Sequence, residues 1–427
     1  MNTMQLLKVY AGSKQMIDKE FRTYDDKIVF IDEISNIDYI NNMIVADAKL
    51  YMDNNDVYGR IVFIDSLDNW RRNTTYNLDK FDNTALILAL DNEGLVCRIN
   101  GTVIPSVKIT PSQQMIDMLE HLLANAENYV CGKYIAELED IEQVSLMTKL
   151  LIERIEMKCH DIDDLLEKTE YQWSETFYIM LVKMIGMGTN QKAYLRLAQR
   201  VPYSMISREK HEPLHVEALL MGAAGFLEDP MDNYQIRLAN EFRHLQNKYS
   251  IRPLSRIEWQ LGRSNNTRPS SHPVLRLAQI SALVCSKDFL FDTAISCRST
   301  EDLDKLFNVA ASEYWDTHYT FGLATHKVPK FIGSETIKTL GINVVCFLMF
   351  RHGAYTLNQD IKDAALDLLE KIGVEKNTII TNWIKAGIKI DNAYTSQAML
   401  QLYKVYCSQK QCGICQVCKK RINQIAG

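Results

Sequence analysis

The stretch Met43–Ile64, with the sequence MIVADAKLYMDNNDVYGRIVFI, decides the fold of the first part of the chain. Two β-rich runs, Met43–Met52 and Val57–Ile64, flank the polar segment Asp53–Asp56. Asn and Asp are the residues that tight hairpin turns prefer, because they tolerate left-handed backbone conformations. The stretch therefore predicts an antiparallel β-hairpin.

Further β-rich runs extend this hairpin into a sheet. They are Ile28–Ile34, Thr84–Leu90, Leu95–Ile99 and Val103–Val107. Within the second of them, residues 85–90 are apolar on both faces, which is typical of a central strand that is covered on both sides. Asn100-Gly101-Thr102 separates the last two runs and predicts a second hairpin.

After Gly132 the apolar residues recur at three- and four-residue spacing, as they do in amphipathic helices. The helical segments are Val144–Ile155, Glu175–Ile185, Val216–Leu227, Tyr234–Leu245, Leu275–Val284, Ile337–Phe350, Ile361–Ile372 and Ser396–Tyr406. Helix ends are expected near Gly186, Pro202, Pro230, Gly262, Pro273, Gly353 and Gly373. The sequence thus predicts an α+β protein, with a β-rich, mixed α/β domain at residues 1–130 and an all-helical domain at residues 131–427.

Composition and charge exclude several classes of protein. The chain has 427 residues, and 48 Lys and Arg against 53 Asp and Glu give a net charge of −5, which lacks the overall footprint of a nucleic-acid-binding protein. The first twelve residues do not have the pattern of a secretory signal, and no stretch reaches the ~18 uninterrupted apolar residues of a transmembrane helix. Ten cysteines without an export signal predict a reducing, cytoplasmic location and no membrane partner.

Three common catalytic motifs are absent. The sequence contains no G-x-S-x-G, Walker A or G-x-G-x-x-G pattern, so nucleotide hydrolysis and dinucleotide redox chemistry have no positive support. Residues His211–His215 (His-Glu-Pro-Leu-His) have the spacing H-E-x-x-H and are metal candidates by residue type, but Glu212, Pro213 and the helix that follows favour solvated loop histidines.

Four cysteines lie close together near the end of the sequence: Cys407, Cys412, Cys415 and Cys418. The last three have the C-x2-C-x2-C spacing of bacterial ferredoxin sequences. Soft ligands of this kind could hold zinc or an iron–sulfur cluster. The alternative is a terminal helix-turn in which reduced thiols pack as small apolar groups.

The most basic neighbourhood surrounds Arg268, Arg276 and Gln279, in a loop that leads into a helix. Because a helix N-terminus favours phosphate, these residues and His318 are candidate ligands for phosphate or nucleic acid. The alternative is that Arg276 pairs with an acidic helix, while the aromatic residues near His318 fill a core.

Stretches over nearly the whole chain carry a family resemblance. They are Ala48–Leu50 with Gly59 and Trp70, Phe81–Asn83, Glu153–Lys158, Glu217–Leu227, Arg268–Pro269, Pro273, Arg276–Gln279, Tyr314–Trp315, His318–Tyr319, Phe321, Ser396–Ala398, Tyr406–Cys407 and Cys412–Cys415. In these stretches the chain resembles the bacterial domain of unknown function 2851 family. The resemblance implies a fold but no activity, because the family has no established one.

Typical members of that family carry a Gly-Pro-Asp turn, a hairpin and then a Glu-Ile-His strand. This order is similar to the core of PD-(D/E)XK nucleases, in which an Asp and a Glu on adjacent strands hold a divalent metal. The resemblance therefore implies a restriction-endonuclease-like first domain. In this chain residues 42–44 (Asn-Met-Ile) and 62–64 (Val-Phe-Ile) take the two motif positions, and Asn73 and Thr75 replace two histidines.

The loss of these groups predicts a divergent member with a degenerate nuclease-like domain and no catalytic residue. We interpret the chain as a non-catalytic binding or scaffold subunit, a pseudoenzyme with a protein partner. The alternative is a nucleic-acid-binding protein or a metal-dependent nuclease. A displaced metal site for it could use Asp47, Asp53, Asp65 and Asp68.

Overall fold

The structure is a computed structural model that describes residues 3–12, 16–17, 19–40, 42–74, 81–92, 94–98, 100–186, 188–261 and 269–426. The described residues divide by packing into two compact units. Unit 1 takes those of Met1–Leu150, Asn377–Lys389 and Ala398–Gly427, and unit 2 takes those of Leu151–Lys376 and Ile390–Gln397. This grouping differs from the division at residue 130 that the sequence analysis predicts. A boundary between independent domains at residue 130 stays a prediction.

Unit 1 is built on a mixed β-sheet. Its strands are β1 (Glu20–Arg22), β2 (Ile28–Ile40), β3 (Met43–Met52), β4 (Asn55–Ser66), β5 (Thr84–Asp91), β6 (Val96–Cys97), β7 (Val103–Ile104) and β8 (Ser106–Lys108). Six of them form one sheet in the order β1-β2-β3-β4-β5-β8, while β6 and β7 pair separately. The pairs β1·β2, β2·β3 and β3·β4 are antiparallel, whereas β4·β5 and β5·β8 are parallel.

The two predicted hairpins are confirmed. β3 and β4 are joined by Asp53 and Asn54, whose φ angles of 49° and 67° are the two positive values of a type I′ turn. Gly101, with a φ of 82°, lies in the connection between β6 and β7. The run Val103–Val107 is wrong as a single strand: it divides at Pro105, which has no N–H to donate, into β7 and β8.

The helices follow the predicted spacing. They are α1 (Thr3–Ala11), α2 (Leu67–Thr74), α3 (Gln113–Ala124), α4 (Gly132–Ala136), α5 (Asp140–Lys168), α6 (Trp173–Ile185), α7 (Gln191–Arg200), α8 (Tyr203–Glu209), α9 (Pro213–Ala223), α10 (Asn233–Tyr249), α11 (Pro273–Ser286), α12 (Leu290–Ile295), α13 (Thr300–Phe307), α14 (Ser334–Leu340), α15 (Phe347–Tyr355), α16 (Gln359–Lys371), α17 (Thr378–Lys385), α18 (Ala393–Gln401) and α19 (Gln416–Ala426). Two π-helical segments, Gly341–Cys346 and Leu402–Cys407, continue α14 and α18 without interruption. The protein is thus α+β, with a sheet in its first part and a helical region after it.

One of the expected helix ends is wrong. Pro273 begins α11 instead of ending a helix, because the missing N–H of proline costs nothing at the first helical position. The end expected near Gly353 is confirmed, because α15 ends at Tyr355. A Cβ at Gly353 would stand 2.9 Å from the carbonyl oxygen of Asn358. Gly353 therefore permits a close approach within the helical unit. Gly262 lies outside the described residues.

The sheet of unit 1 packs one face on a closed apolar core. Val45, Val62, Trp70, Phe81 and Ile87 belong to it, and none is more than 5% exposed. The rings of Trp70 and Phe81 meet edge to face, with centroids 5.5 Å apart. Among the described helices none is both long and apolar enough to cross a bilayer.

Candidate functional site

The two motif positions of the first unit lie on neighbouring antiparallel strands. Ile44 stands on β3 and Val62 stands on β4, at the positions to which the resemblance assigns an Asp and a Glu. Both side chains are 0% exposed. Mg²⁺ requires oxygen ligands, so neither position can bind it.

The strand register separates these two positions further. Ile44 pairs with Phe63, and Val45 pairs with Val62. Because partners across a ladder share a face and successive residues alternate, Ile44 and Val62 lie on opposite faces of the sheet. Carboxylates at these two positions would not share one metal ion. Of the two lost histidine positions, Thr75 lies outside the described residues.

The four aspartates of the displaced-site alternative have separate local roles. Asp47 accepts from Asn36 at 3.0 Å and pairs with Arg60 at 3.4 Å, and both contacts lower its pKa. Asp53 forms the hairpin turn and Asp68 lies in the first turn of α2.

Asp65 accepts a 2.9 Å hydrogen bond from the Asn69 amide at the end of β4. It borders a cavity of about 220 Å³ together with Thr3, Met4, Leu7 and Asn42. One carboxylate in this cavity is short of the ligand number that a divalent cation needs. The cavity therefore does not by itself make a metal site.

Arg276 and Gln279 come together near the start of α11, as predicted, but they are buried. They are 7% and 2% exposed. Arg276 donates to Gln279 Oε1 at 3.0 Å and to Thr336 Oγ1 at 3.1 Å, and its Nε has no hydrogen-bond partner. Burial lowers the pKa of this guanidinium. Within the described residues the side-chain partners of Arg276 are neutral and include no carboxylate, so the alternative of pairing with an acidic helix is wrong.

The other two members of the predicted phosphate site are placed differently. Arg268 lies outside the described residues. His318 stacks on Tyr314, with ring centroids 4.1 Å apart, and its Nδ1 lies 2.9 Å from the Tyr314 carbonyl oxygen. No hydrogen bond or ring contact of the described residues joins His318 to Arg276 or Gln279. The role of the four residues in phosphate or nucleic-acid binding stays a prediction.

Two carboxylates that the sequence analysis did not single out organise the aromatic residues around His318. Glu217 of α9 is 4% exposed and accepts hydrogen bonds from Trp315 Nε1 at 2.7 Å and Ser312 Oγ at 3.1 Å. Asp232 caps α10 and accepts from the Tyr314 hydroxyl at 2.5 Å. The only sequence signal for Glu217 was an acidic residue inside an otherwise apolar helix, whose partners are almost a hundred positions away.

The four cysteines near the end of the sequence are buried side chains. Cys407, Cys412, Cys415 and Cys418 are 6%, 7%, 5% and 1% exposed. Burial and the nearby Cys415 raise the pKa of Cys412 to about 12. Cys131, at the start of α4, is 8% exposed and is a neighbour of Cys415 and Cys412. Burial and these two neighbouring thiols raise the pKa of Cys131.

The loop that carries Cys412 and Cys415 packs against α1. The Gly413 amide donates to Gln5 Oε1 at 2.7 Å, and a Cβ on Gly413 would stand 2.6 Å from the Gln5 carbonyl oxygen. In the part of the chain that the structure describes, no three His, Cys, Asp or Glu side chains are grouped so that they could hold a metal ion. A zinc or iron–sulfur site at these cysteines therefore stays a prediction.

Comparison with known proteins gives one match. A family model described as Protein of unknown function (DUF2851) matches residues 12–378. No curated protein and no solved structure matches the chain.

Proposed function

This chain belongs to the DUF2851 family of unknown function, and from that premise we propose that it is a non-catalytic binding subunit with a degenerate nuclease-like domain. The observation that carries the proposal is the pair Ile44 and Val62. Both are fully buried apolar residues, and the register directs them to opposite faces of the sheet. A metal-dependent hydrolase needs at least two oxygen ligands that converge on one point.

The nuclease-like part of the proposal rests on strand order. An antiparallel hairpin, β3 and β4, is followed by a parallel crossover through α2 to β5. This strand order is the one that the resemblance implies. The register places the two motif positions on opposite faces, so the support lies in the strand order alone and not in a converging pair of positions. A likeness of fold supports a common origin for the domain, but it does not support an activity.

A cleavage assay tests the absence of catalysis. The purified chain is incubated with supercoiled DNA, single-stranded DNA and RNA in the presence of Mg²⁺ or Mn²⁺, and we expect no cleavage. Cleavage that chelation stops, and that Asp65→Asn abolishes while Asp117→Asn leaves it intact, would overturn the proposal. Asp117 is the matched control because it is exposed on α3 and is not one of the four aspartates of the displaced-site alternative. Cleavage that both variants retain marks a contaminating nuclease, and the assay is then repeated on protein freed of it.

A second experiment tests the binding role. The tagged chain is recovered from its native cells, and its mass is measured by light scattering before and after a high-salt wash. A binding subunit is expected to bring one protein partner in near-stoichiometric amount. A chain that is monomeric and without such a partner under all conditions contradicts the scaffold role.

A further inference from the structure

Unit 2 contains a cavity of about 230 Å³ that none of the predicted sites uses. Residues of α5, α6 and α7 line it, together with two residues of the continuous helix α14–α15. We propose that this cavity binds a small organic anion, namely a molecule with one carboxylate or phosphate group on an apolar body. This inference is independent of the proposed function, because it concerns helices that carry none of the nuclease-like motif.

The inner wall of the cavity is apolar. Ile162, Met180 and Phe347 are 2%, 9% and 1% exposed, and each comes from a different helix. Leu165 follows Ile162 at a spacing of three residues, so both lie on one face of α5. An apolar ligand body would be stabilised here, because this wall removes its surface from water.

The rim of the cavity is charged, and its unpaired charges are mostly positive. Lys158 is neutralised by Asp161, whose carboxylate lies 2.9 Å from its ammonium group. The ammonium groups of Lys168 and Lys183 make no ion pair or hydrogen bond with any described residue. They face only one further acid on the rim, Asp164. A net positive rim in a chain of net charge −5 favours an anionic ligand.

A π-helical segment supplies one polar group to the same cavity. Asn343 lies in Gly341–Cys346 and lines the cavity, and its amide donates to the Thr339 carbonyl oxygen at 3.1 Å. Its Oδ1 accepts no hydrogen bond from the described residues, so it is available to a ligand. π-helical turns are rare and are often found at functional sites, because they displace side chains from the regular helical positions.

The size of the cavity limits the ligand. At about 30 Å³ for each water-sized group, it accommodates roughly eight non-hydrogen atoms. An aromatic ring therefore fits inside the cavity, and an acidic group on the ring would lie at the charged rim. Ligands this small bind weakly, with a Kd on the order of 1 mM.

Ligand-observed NMR on the whole chain tests the proposal. The probes are benzoate and phenyl phosphate, with benzyl alcohol and inorganic phosphate as the uncharged and the purely ionic comparisons. We expect saturable binding of at least one aromatic anion, and binding of both comparisons about tenfold weaker or less. Equal binding of benzyl alcohol, or no saturable binding of either anion, overturns the proposal.

Substitutions of residues that line the cavity test whether the anion binds there. The double variant Lys168→Met, Lys183→Met removes both unpaired ammonium groups and is expected to weaken anion binding about tenfold. Lys192→Met is the matched control, because Lys192 is exposed on α7 and does not line the cavity. Leu165→Trp fills the half-buried wall and is expected to abolish binding. If the double variant and Leu165→Trp, both verified as folded by circular dichroism, bind like the wild type, the site is elsewhere and the proposal fails.

Discussion

Trp315 Nε1 donates a 2.7 Å hydrogen bond to Glu217 Oε1, although 98 positions of sequence separate the two residues. The hydroxyl of Ser312 binds the other carboxylate oxygen, so an acid that is 4% exposed has both oxygens satisfied. An unpaired buried carboxylate would cost several kcal/mol. Glu217 therefore fixes the aromatic segment around Trp315 on α9.

The Glu217 network predicts a pH dependence of stability. Burial raises the pKa of Glu217, and the hydrogen bonds from Trp315 and Ser312 offset only part of that rise. The pKa of Glu217 in the folded state therefore lies above its pKa in the unfolded state. The contribution of Glu217 to stability is complete below the unfolded-state pKa and is lost as pH rises through the folded-state pKa. Glu217→Gln keeps an acceptor for Trp315, so we expect the stability advantage of the wild type over this variant to shrink as pH rises.

Urea unfolding of both proteins at pH 5 and pH 8 measures this difference. Glu228→Gln, at an exposed position, is the control for the loss of one negative charge. An advantage of the wild type that grows toward pH 8 would contradict the prediction.

Glu209 predicts the opposite dependence. Burial acts to raise its pKa, but hydrogen bonds from Lys248, Tyr249 and His215 outweigh it and lower the pKa to about 2. Lys248 Nζ lies 2.6 Å from the carboxylate, and its side chain is 58% exposed, so solvent screens part of the attraction. Glu209 therefore contributes to stability at pH values above its unfolded-state pKa, and this contribution is lost as pH falls toward 2.

We expect Glu209→Gln to lower the free energy of unfolding by about 1–2 kcal/mol at pH 7. The difference should narrow between pH 5 and pH 3, as measured by denaturant unfolding. A cost that is the same at both pH values would show that packing, and not the charge, makes residue 209 important.

The close packing of α9 against α10 at Gly222 predicts that a larger side chain at this position lowers stability. A Cβ at this position would stand 2.1 Å from Cγ of Phe242, which is 6% exposed and has little room to move. Gly222→Ala gains about 1 kcal/mol of helix propensity but forces the two helices apart, and overpacking of this kind costs about 1–3 kcal/mol or more. We expect a net loss of stability in thermal unfolding.

Gly333→Ala is the comparison, since nothing lies within 4 Å of the Cβ that it adds. The prediction fails if Gly222→Ala is as stable as Gly333→Ala. Gly222→Ala should cost less in a Phe242→Ala background than in the wild type, because the added methyl group then occupies space that the ring leaves.

The cysteines predict an order of chemical labelling. Cys97 is exposed, whereas Cys131, Cys412 and Cys418 are buried and have raised pKa values. Because the thiolate is the reactive form, iodoacetamide should label Cys97 first and should label the buried thiols only after unfolding. Peptide mass spectrometry reads out each site.

Chelator then separates the two interpretations of the cysteine cluster. Protection that persists in EDTA indicates thiols protected by packing. Protection that EDTA removes, together with about one zinc or several iron atoms per chain in the anaerobically purified protein, indicates the metal site that the C-x2-C-x2-C spacing predicts. Cys97→Ser is the control for background labelling.

Features set by neighbouring residues were predicted well from the sequence. The hairpin at Asp53 and Asn54 follows from two residues that tolerate positive φ, and the observed strand β3 has the predicted bounds Met43–Met52. The amphipathic spacing of Glu175–Ile185 and Ile361–Ile372 indicates helices that the structure contains. Such patterns are local, since turn geometry and helical periodicity depend on residues a few positions apart.

Features set by distant residues were not predictable. Arg276 and Gln279 could bind a phosphate if they lay on the surface. The packing of α11 instead buries them against Thr336 and the main chain of residues 330 and 331. The opposite faces of Ile44 and Val62 depend on a strand register, and a shift by one residue would reverse it.

The sequence by itself determined the β3–β4 hairpin and the amphipathic helices, and it showed that the motif positions carry no metal-binding side chain. Only the tertiary structure decided that Cys131 lies beside Cys412 and Cys415, and that Lys168 and Lys183 border one cavity. The physical reason is that burial and proximity arise when helices distant in sequence pack together. No local pattern of residues records which helices those are.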